Sequence, residues 1–111
     1  SLGIRPDVLT YTAIISGFCQ ISDMVEAGKL FHEMVSRGLE PDSFTFTELI
    51  NGYCKAGQMK DAFMVHNHMI LAGCSPNVVT YTTLIDGLCK EGDLDSANDL
   101  IHEMWKIGLQ P

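Results

Sequence analysis

Proline stands at positions 6, 41, 76 and 111, dividing the chain at equal intervals of 35 residues. Other residues keep the same step: Thr10/Thr45/Thr80, Thr12/Thr47/Thr82, Ile15/Ile50/Ile85, Gly17/Gly52/Gly87, Ala27/Ala62/Ala97, Met34/Met69/Met104 and Gly38/Gly73/Gly108. Self-similarity on this scale marks stacked units, each unable to bury its apolar face alone and each covered by its neighbours. Three units are predicted, over 6–40, 41–75 and 76–111, with residues 1–5 as the tail of a preceding one. Gly3-Ile4-Arg5-Pro6-Asp7 matches Gly38-Leu39-Glu40-Pro41-Asp42, so a piece of a longer array is expected. At 111 residues there is room for one small domain and no second.

Each unit reads as two helices. Tyr11, Ile14, Ile15 and Phe18 follow the i, i+3, i+4, i+7 pattern of a single apolar stripe, as do Phe46, Leu49, Ile50, Tyr53 and Tyr81, Leu84, Ile85, Leu88. The second half repeats it with Ala27, Leu30, Phe31 and Met34, then Ala62, Val65 and Met69, then Ala97, Leu100, Ile101 and Met104. Asp7, Asp42 and Asn77 suit the N-cap of each first helix, and Asp23 with Glu26 resembles a capping box. Gly38, Gly73 and Gly108 suit a left-handed C-cap, after which proline forbids continuation. The connections near 21–22, 56–57 and 91–92 are short, so the two helices of a unit should pack antiparallel. The expected fold is an all-α solenoid of helix-turn-helix repeats.

Composition narrows the function. Apolar residues are 46% and charged residues 19%, which excludes a disordered chain. No run approaches the roughly 18 consecutive apolar residues of a membrane span, and no membrane partner is expected. The net charge of -7 argues against a generic nucleic-acid binder. Cys19, Cys54 and Cys89 recur in Gly-x-Cys at the 35-residue step and, with Cys74, are read as reduced thiols, the recurring three as small buried groups, in preference to a disulfide or metal framework. His66 and His68, two apart, do not share a helical face, and His32 and His102 are about two units apart, so no metal or other cofactor is expected. Met24, Met34, Met59, Met64, Met69 and Met104 fall mostly at core spacing. No phosphate loop, nucleophile triad or catalytic carboxylate pair can be assembled on these stripes, so neither an enzyme nor a small-molecule substrate is expected.

The stretch Val78 to Gly92, Val-Val-Thr-Tyr-Thr-Thr-Leu-Ile-Asp-Gly-Leu-Cys-Lys-Glu-Gly, with Gly-Leu-x-Pro closing the unit, resembles the pentatricopeptide repeat in its long 35-residue class. The resemblance covers the whole chain, and the Trp-x-x-Leu-Gly-x-x-Tyr opening of the tetratricopeptide repeat is in none of the units. It implies a right-handed solenoid that binds single-stranded RNA in mitochondria or chloroplasts, about one base per repeat. In the family's register the base is read by the residue after the recurring Tyr or Phe, here Thr12, Thr47 and Thr82, together with the residue after the closing proline. Those partners are Asp42 for the first unit and Asn77 for the second, with Asp7 left from a unit whose first helix is not in the sequence. An ionised Asp offers only acceptors, which suits the N1–H and N2–H of guanine; an Asn amide offers acceptor and donor, which suits N6–H and N1 of adenine. The resemblance then implies a preference for 5'-(G/U)-G-A-purine-3'.

Two supporting sets carry over. Leu9, Phe44 and Val79 would sandwich neighbouring bases. Lys55 and Lys90 would meet phosphate, with Gln20 weakening that contact in the first unit. If the first helices line the groove, the acids Asp23, Glu26, Glu33, Asp93, Asp95, Asp99 and Glu103 of the second helices decorate the face away from RNA. Two lysines imply a salt slope of about -1.4. Each feature also has a purely structural account: capping for Asp7, Asp42 and Asn77, first-turn residues for the threonines, inter-unit core for Leu9, Phe44 and Val79, and helix-end charges for the lysines. A protein-interaction scaffold is the alternative function, and end-to-end self-association through uncovered apolar ends is a further expectation.

Overall fold

A computed structural model describes residues 6–110 of the chain; residues 1–5, the expected tail of a preceding unit, and Pro111 lie outside them. Six helices follow in order: α1 (Pro6–Gln20), α2 (Met24–Ser36), α3 (Ser43–Lys55), α4 (Met59–Leu71), α5 (Val78–Lys90) and α6 (Leu94–Lys106). Among the described residues there is no strand. Consecutive helices pair as α1/α2, α3/α4 and α5/α6, and the pairs stack. The result is the all-α helical-repeat solenoid that the period predicts.

Local chemistry sets the helix ends. The Oδ1 atoms of Asp23, Asp42, Asn77 and Asp93 each accept the N–H three residues on, at 3.2, 2.9, 3.0 and 3.2 Å. Asp23 caps as expected, while Glu26 pairs with Lys29 at 3.6 Å as a surface ion pair. The first helix departs from expectation: α1 begins at Pro6, so Asp7 is its second residue and not its N-cap. Proline is tolerated at a first helical position, where its missing N–H would have no intrahelical partner, and an acid in the first turn complements the helix dipole. Gly38, Gly73 and Gly108 take the left-handed conformation expected of them, with φ +77°, +83° and +86°. Within each pair the turn also needs positive φ: Gly57 and Gly92 supply it, while the corresponding residue of the first pair is Ser22 at φ 63°.

The two layers differ in spacing. The first-layer helices α1, α3 and α5 pack on one another, whereas α2, α4 and α6 do not come within backbone packing distance of each other. A stack spaced more closely on one side curves towards that side, so the first layer lines the concave face. The core runs between the layers through Ile15, Phe31, Phe46, Leu49, Val65, Leu84 and Met104, all essentially inaccessible. Ile14 is 44% exposed although its counterparts Leu49 and Leu84 are fully buried, because among the described residues α1 has a neighbouring pair on one side only.

The recurring mid-helix glycine has a packing cause. A Cβ built on Gly52 would lie 2.5 Å from Met24 Sδ, and one on Gly87 would lie 2.6 Å from Met59 Sδ. The second-layer helices α2 and α4 thus each seat the methionine of their first turn in a notch on the next first-layer helix. The cysteines are free thiols but less buried than the motif suggests: Cys19, Cys54 and Cys74 are half-buried and Cys89 is exposed. Burial pushes the Cys19 and Cys54 thiols up to about 11, so they are protonated at neutral pH.

One pair of unit positions switches chemistry between repeats. Tyr11 donates its hydroxyl proton to Glu33 Oε2, and Tyr81 donates to Glu103 Oε2 at 2.9 Å. In the middle unit these positions are Phe46 and His68, whose rings meet at 5.9 Å. A hydrogen bond in the outer units is replaced by a ring contact in the middle one, and Phe31 completes that cluster at 6.1 Å from Phe46 and 5.4 Å from His68. His66 is buried against Tyr81 and Phe63, and burial lowers its pKa.

Candidate nucleic-acid interface

The residues singled out in the sequence gather at the two ends of the concave layer. Asp42 and Asn77 lie at the N-termini of α3 and α5, and Thr12, Thr47 and Thr82 lie in the early turns of α1, α3 and α5. Asp7 lies in the first turn of α1. Gln20, Lys55 and Lys90 are the last residues of these same helices. At 1.5 Å per residue the threonines stand about 12 Å from the helix-end positions, so polar base-sized edges and a backbone would be met at separate places.

The cap geometry decides which atoms remain for a ligand. Asp42 Oδ1 accepts both the backbone N–H of Thr45 and its hydroxyl proton, each at 2.9 Å. Thr45 Oγ1 in turn lies 3.4 Å from Thr12 Oγ1, so a buried hydroxyl links the two residues that the family register pairs. Oδ2 of Asp42 is left on an exposed side chain, as an acceptor. Asn77 repeats the arrangement: Oδ1 takes the N–H of Thr80 at 3.0 Å and its hydroxyl at 3.2 Å. Because that oxygen already serves two donors, what Asn77 presents outward is its Nδ2, a donor alone. Capping and outward presentation are compatible in both residues, since each side chain uses one atom for each.

Leu9, Phe44 and Val79 are 58%, 57% and 63% exposed, which removes them from the core. An exposed apolar residue two positions beyond each Asp or Asn gives the concave edge a regular alternation of polar and apolar groups. Thr12 and Thr47 are half-buried, while Thr82 is exposed.

The two lysines are not equivalent. Lys90 Nζ lies 3.0 Å from Asp86 Oδ2, whereas Lys55 has no ion-pair partner among the described residues. The i, i+4 spacing of Asp86 and Lys90 is the sequence signal that announces this pair, and weighing the lysines without it overstates Lys90. Glu48, on α3 of the same layer, is half-buried and accepts the hydroxyl proton of Ser16. Among the described residues no group of three or more His, Cys, Asp or Glu side chains is placed to hold a metal, and no helix is long and apolar enough to cross a membrane.

Comparison with known proteins gives a consistent result. The sequence matches the PPR repeat family over residues 6–55, 46–90 and 76–111. A pentatricopeptide repeat-containing protein of Arabidopsis thaliana is 47% identical over 32 residues, which is 29% of this chain and 6% of the relative. The crystal structure of the pentatricopeptide repeat protein PPR10 from maize superposes with a TM-score of 0.86 at 32% identity, covering 99% of this chain and 16% of that one. PPR10 in complex with an 18-nt psaJ RNA element superposes at 0.78 with 33% identity, over 98% of this chain and 16% of that one. The PPR domain of Arabidopsis thaliana protein-only RNase P 1, solved in complex with tRNA, shares the fold at a TM-score of 0.80 and 18% identity, over 98% of this chain and 56% of that one.

Proposed function

This chain belongs to the PPR repeat family, and from that premise we propose that it is a sequence-reading module for single-stranded RNA in a mitochondrion or chloroplast. The observation that supports the reading is the repeated cap: Oδ1 of Asp42 and of Asn77 holds the helix end through Thr45 and Thr80, which leaves the second polar atom of each exposed side chain outside the cap, and the Thr45 hydroxyl lies 3.4 Å from Thr12 Oγ1. Asp42 Oδ2 would accept from the N1–H and N2–H edge of guanine, and Asn77 Nδ2 would donate to N1 of adenine. Thr82 would favour a purine, and Asp7 would leave G or U at the preceding position. Leu9, Phe44 and Val79 would stack between successive bases, and the order along the chain gives 5'-(G/U)-G-A-purine-3'. PPR10, solved in complex with an RNA element, supports the same partner class. The module binds and positions RNA, and we assign it no reaction.

Fluorescence anisotropy with labelled RNAs tests this. An oligonucleotide with a GGAG core is expected to bind this chain more tightly than its pyrimidine complement, at micromolar or weaker affinity because few bases are engaged. Equal binding of the two by the folded chain would contradict base reading.

The lysine asymmetry adds a second expectation. With Lys90 held by Asp86, only Lys55 is ready to neutralise phosphate, so the slope of log K against log salt should be near -0.7, about half the value expected for two free lysines. Asp86→Asn releases Lys90 and removes an acid from the concave layer. The slope should steepen to about -1.4 and affinity at low salt should rise several-fold, while stability changes little because exposed ion pairs contribute about 0–1 kcal/mol. An unchanged slope would place Lys90 away from the RNA path.

A further inference from the structure

The second-layer helices leave a groove at each step between units, and the two grooves differ in size and charge. Between α2 and α4 the cavity is about 240 Å³; between α4 and α6 it is about 930 Å³. Corresponding unit positions floor both, with Met24 and Tyr53 in the first and Met59 and Leu88 in the second. The larger groove adds Phe63, Met64, Leu71 and Leu100, and Leu71 is 88% exposed. Its edge carries Glu91, Asp93, Asp99 and Glu103 against the single cation Lys60. One unit earlier, those four acidic positions are Ala56, Gln58, Met64 and His68. The full set of four acids is therefore confined to this groove, although the first unit carries acid at two of the same positions, Asp23 and Glu33.

We propose that the α4/α6 groove is a docking site for a basic amphipathic helix of another protein. The apolar floor requires an apolar stripe on the occupant, and four carboxylates beside that floor call for Lys or Arg flanking the stripe. RNA does not fit, since its phosphates would face those carboxylates. An extended peptide fits poorly as well: both walls are helices whose backbone groups are already paired, so its own N–H and C=O groups would find no partners. A helix satisfies its backbone internally and lays one face into such a groove through i, i+3, i+4, i+7 anchors. The groove lies between two helices of the outer layer, so its occupation leaves the concave face open.

The test uses the whole chain and a fluorescein-labelled peptide of about 18 residues with leucines at i, i+3, i+4, i+7 and lysines elsewhere, long enough to form an isolated helix. A scrambled peptide of identical composition controls for attraction to the net negative charge. Saturable binding of the patterned peptide is expected, weakened about tenfold by Asp99→Lys combined with Glu91→Lys. Leu71→Ser, at a highly exposed position, should weaken it without loss of helicity by circular dichroism. Asp95→Lys makes the same charge change as Asp99→Lys alone, on α6 but outside the groove, and should have little effect. The proposal is overturned if the scrambled peptide binds equally, if Asp95→Lys weakens binding as much as Asp99→Lys, or if no binding is seen. It is also overturned if the chain alone sediments as a dimer that Asp99→Lys dissociates, because the occupant would then be a second copy.

Discussion

Phe46→Ala should cost about 3–5 kcal/mol, a large fraction of the roughly 5–15 kcal/mol that holds a small domain folded. The ring is fully buried at the junction of α2, α3 and α4, edge-on to Phe31 at 6.1 Å and tilted against His68 at 5.9 Å. Its removal leaves a cavity, because Phe31 and His68 are themselves held in contact at 5.4 Å. Position matters as much as size. In a stacked array each unit is stabilised through its interfaces with its neighbours, and Phe46 lies where the first helix pair meets the second. Urea denaturation followed by circular dichroism should show a midpoint shifted strongly down, with the transition broadened or split as α1/α2 uncouples from the rest. Tyr81→Phe is the contrast to measure beside it: it keeps the ring and removes only the hydroxyl bonded to Glu103, so about 0.5–1.5 kcal/mol is expected. A Phe46→Ala loss no larger than that of Tyr81→Phe would show that the ring cluster does not couple the units.

Much of this architecture was legible because one arithmetic operation, adding 35, aligns every element with its counterpart. The six helices, their buried stripes, the caps at Asp42 and Asn77 and the positive φ at Gly38, Gly73 and Gly108 all follow from spacing that chain-local physics reads directly. What spacing could not give was whatever depends on two helices at once. Gly52 and Gly87 recur visibly, yet their cause is the thioether of Met24 or Met59 arriving from the preceding unit. The exchange of Tyr11/Glu33 and Tyr81/Glu103 for Phe46/His68 is a covariation across 22 residues, visible only when the two layers are packed together. Leu9, Phe44 and Val79 sit at helix beginnings, where the apolar period does not distinguish a core face from an exposed edge. Asp7 shows the reverse limit: aligned with two true caps, it is drawn into the helix because α1 starts at the proline itself, two residues earlier in the unit than α3 and α5.

The same cap geometry makes Asp42→Asn the most informative single substitution on the concave face. Asn caps a helix about as well as Asp, and Asn77 already does so at the equivalent position with the same pair of bonds from Thr80, so the fold should be unaffected. What changes is one outward atom, from the Oδ2 acceptor to an Nδ2 donor. Opposite guanine, a donor would face the N1–H donor; opposite adenine, the original acceptor faced the N1 acceptor. Each mismatch leaves polar groups of like sign together, and a base-edge contact of this kind discriminates by about 1–3 kcal/mol. The ratio of affinities for a G and an A at that one RNA position should therefore swing from favouring G by about tenfold to favouring A by a similar factor. Overall affinity does not serve as the readout, because removing a negative charge strengthens binding to any RNA. Competition between two otherwise identical oligonucleotides isolates the ratio. Asp42→Ala gives the complementary result, losing the cap and the discrimination together, with helix destabilisation of about 1 kcal/mol. A folded Asp42→Asn chain whose G to A ratio is unchanged would leave Asp42 as a helix cap and nothing more, and the register of base reading would have to be sought elsewhere on α3.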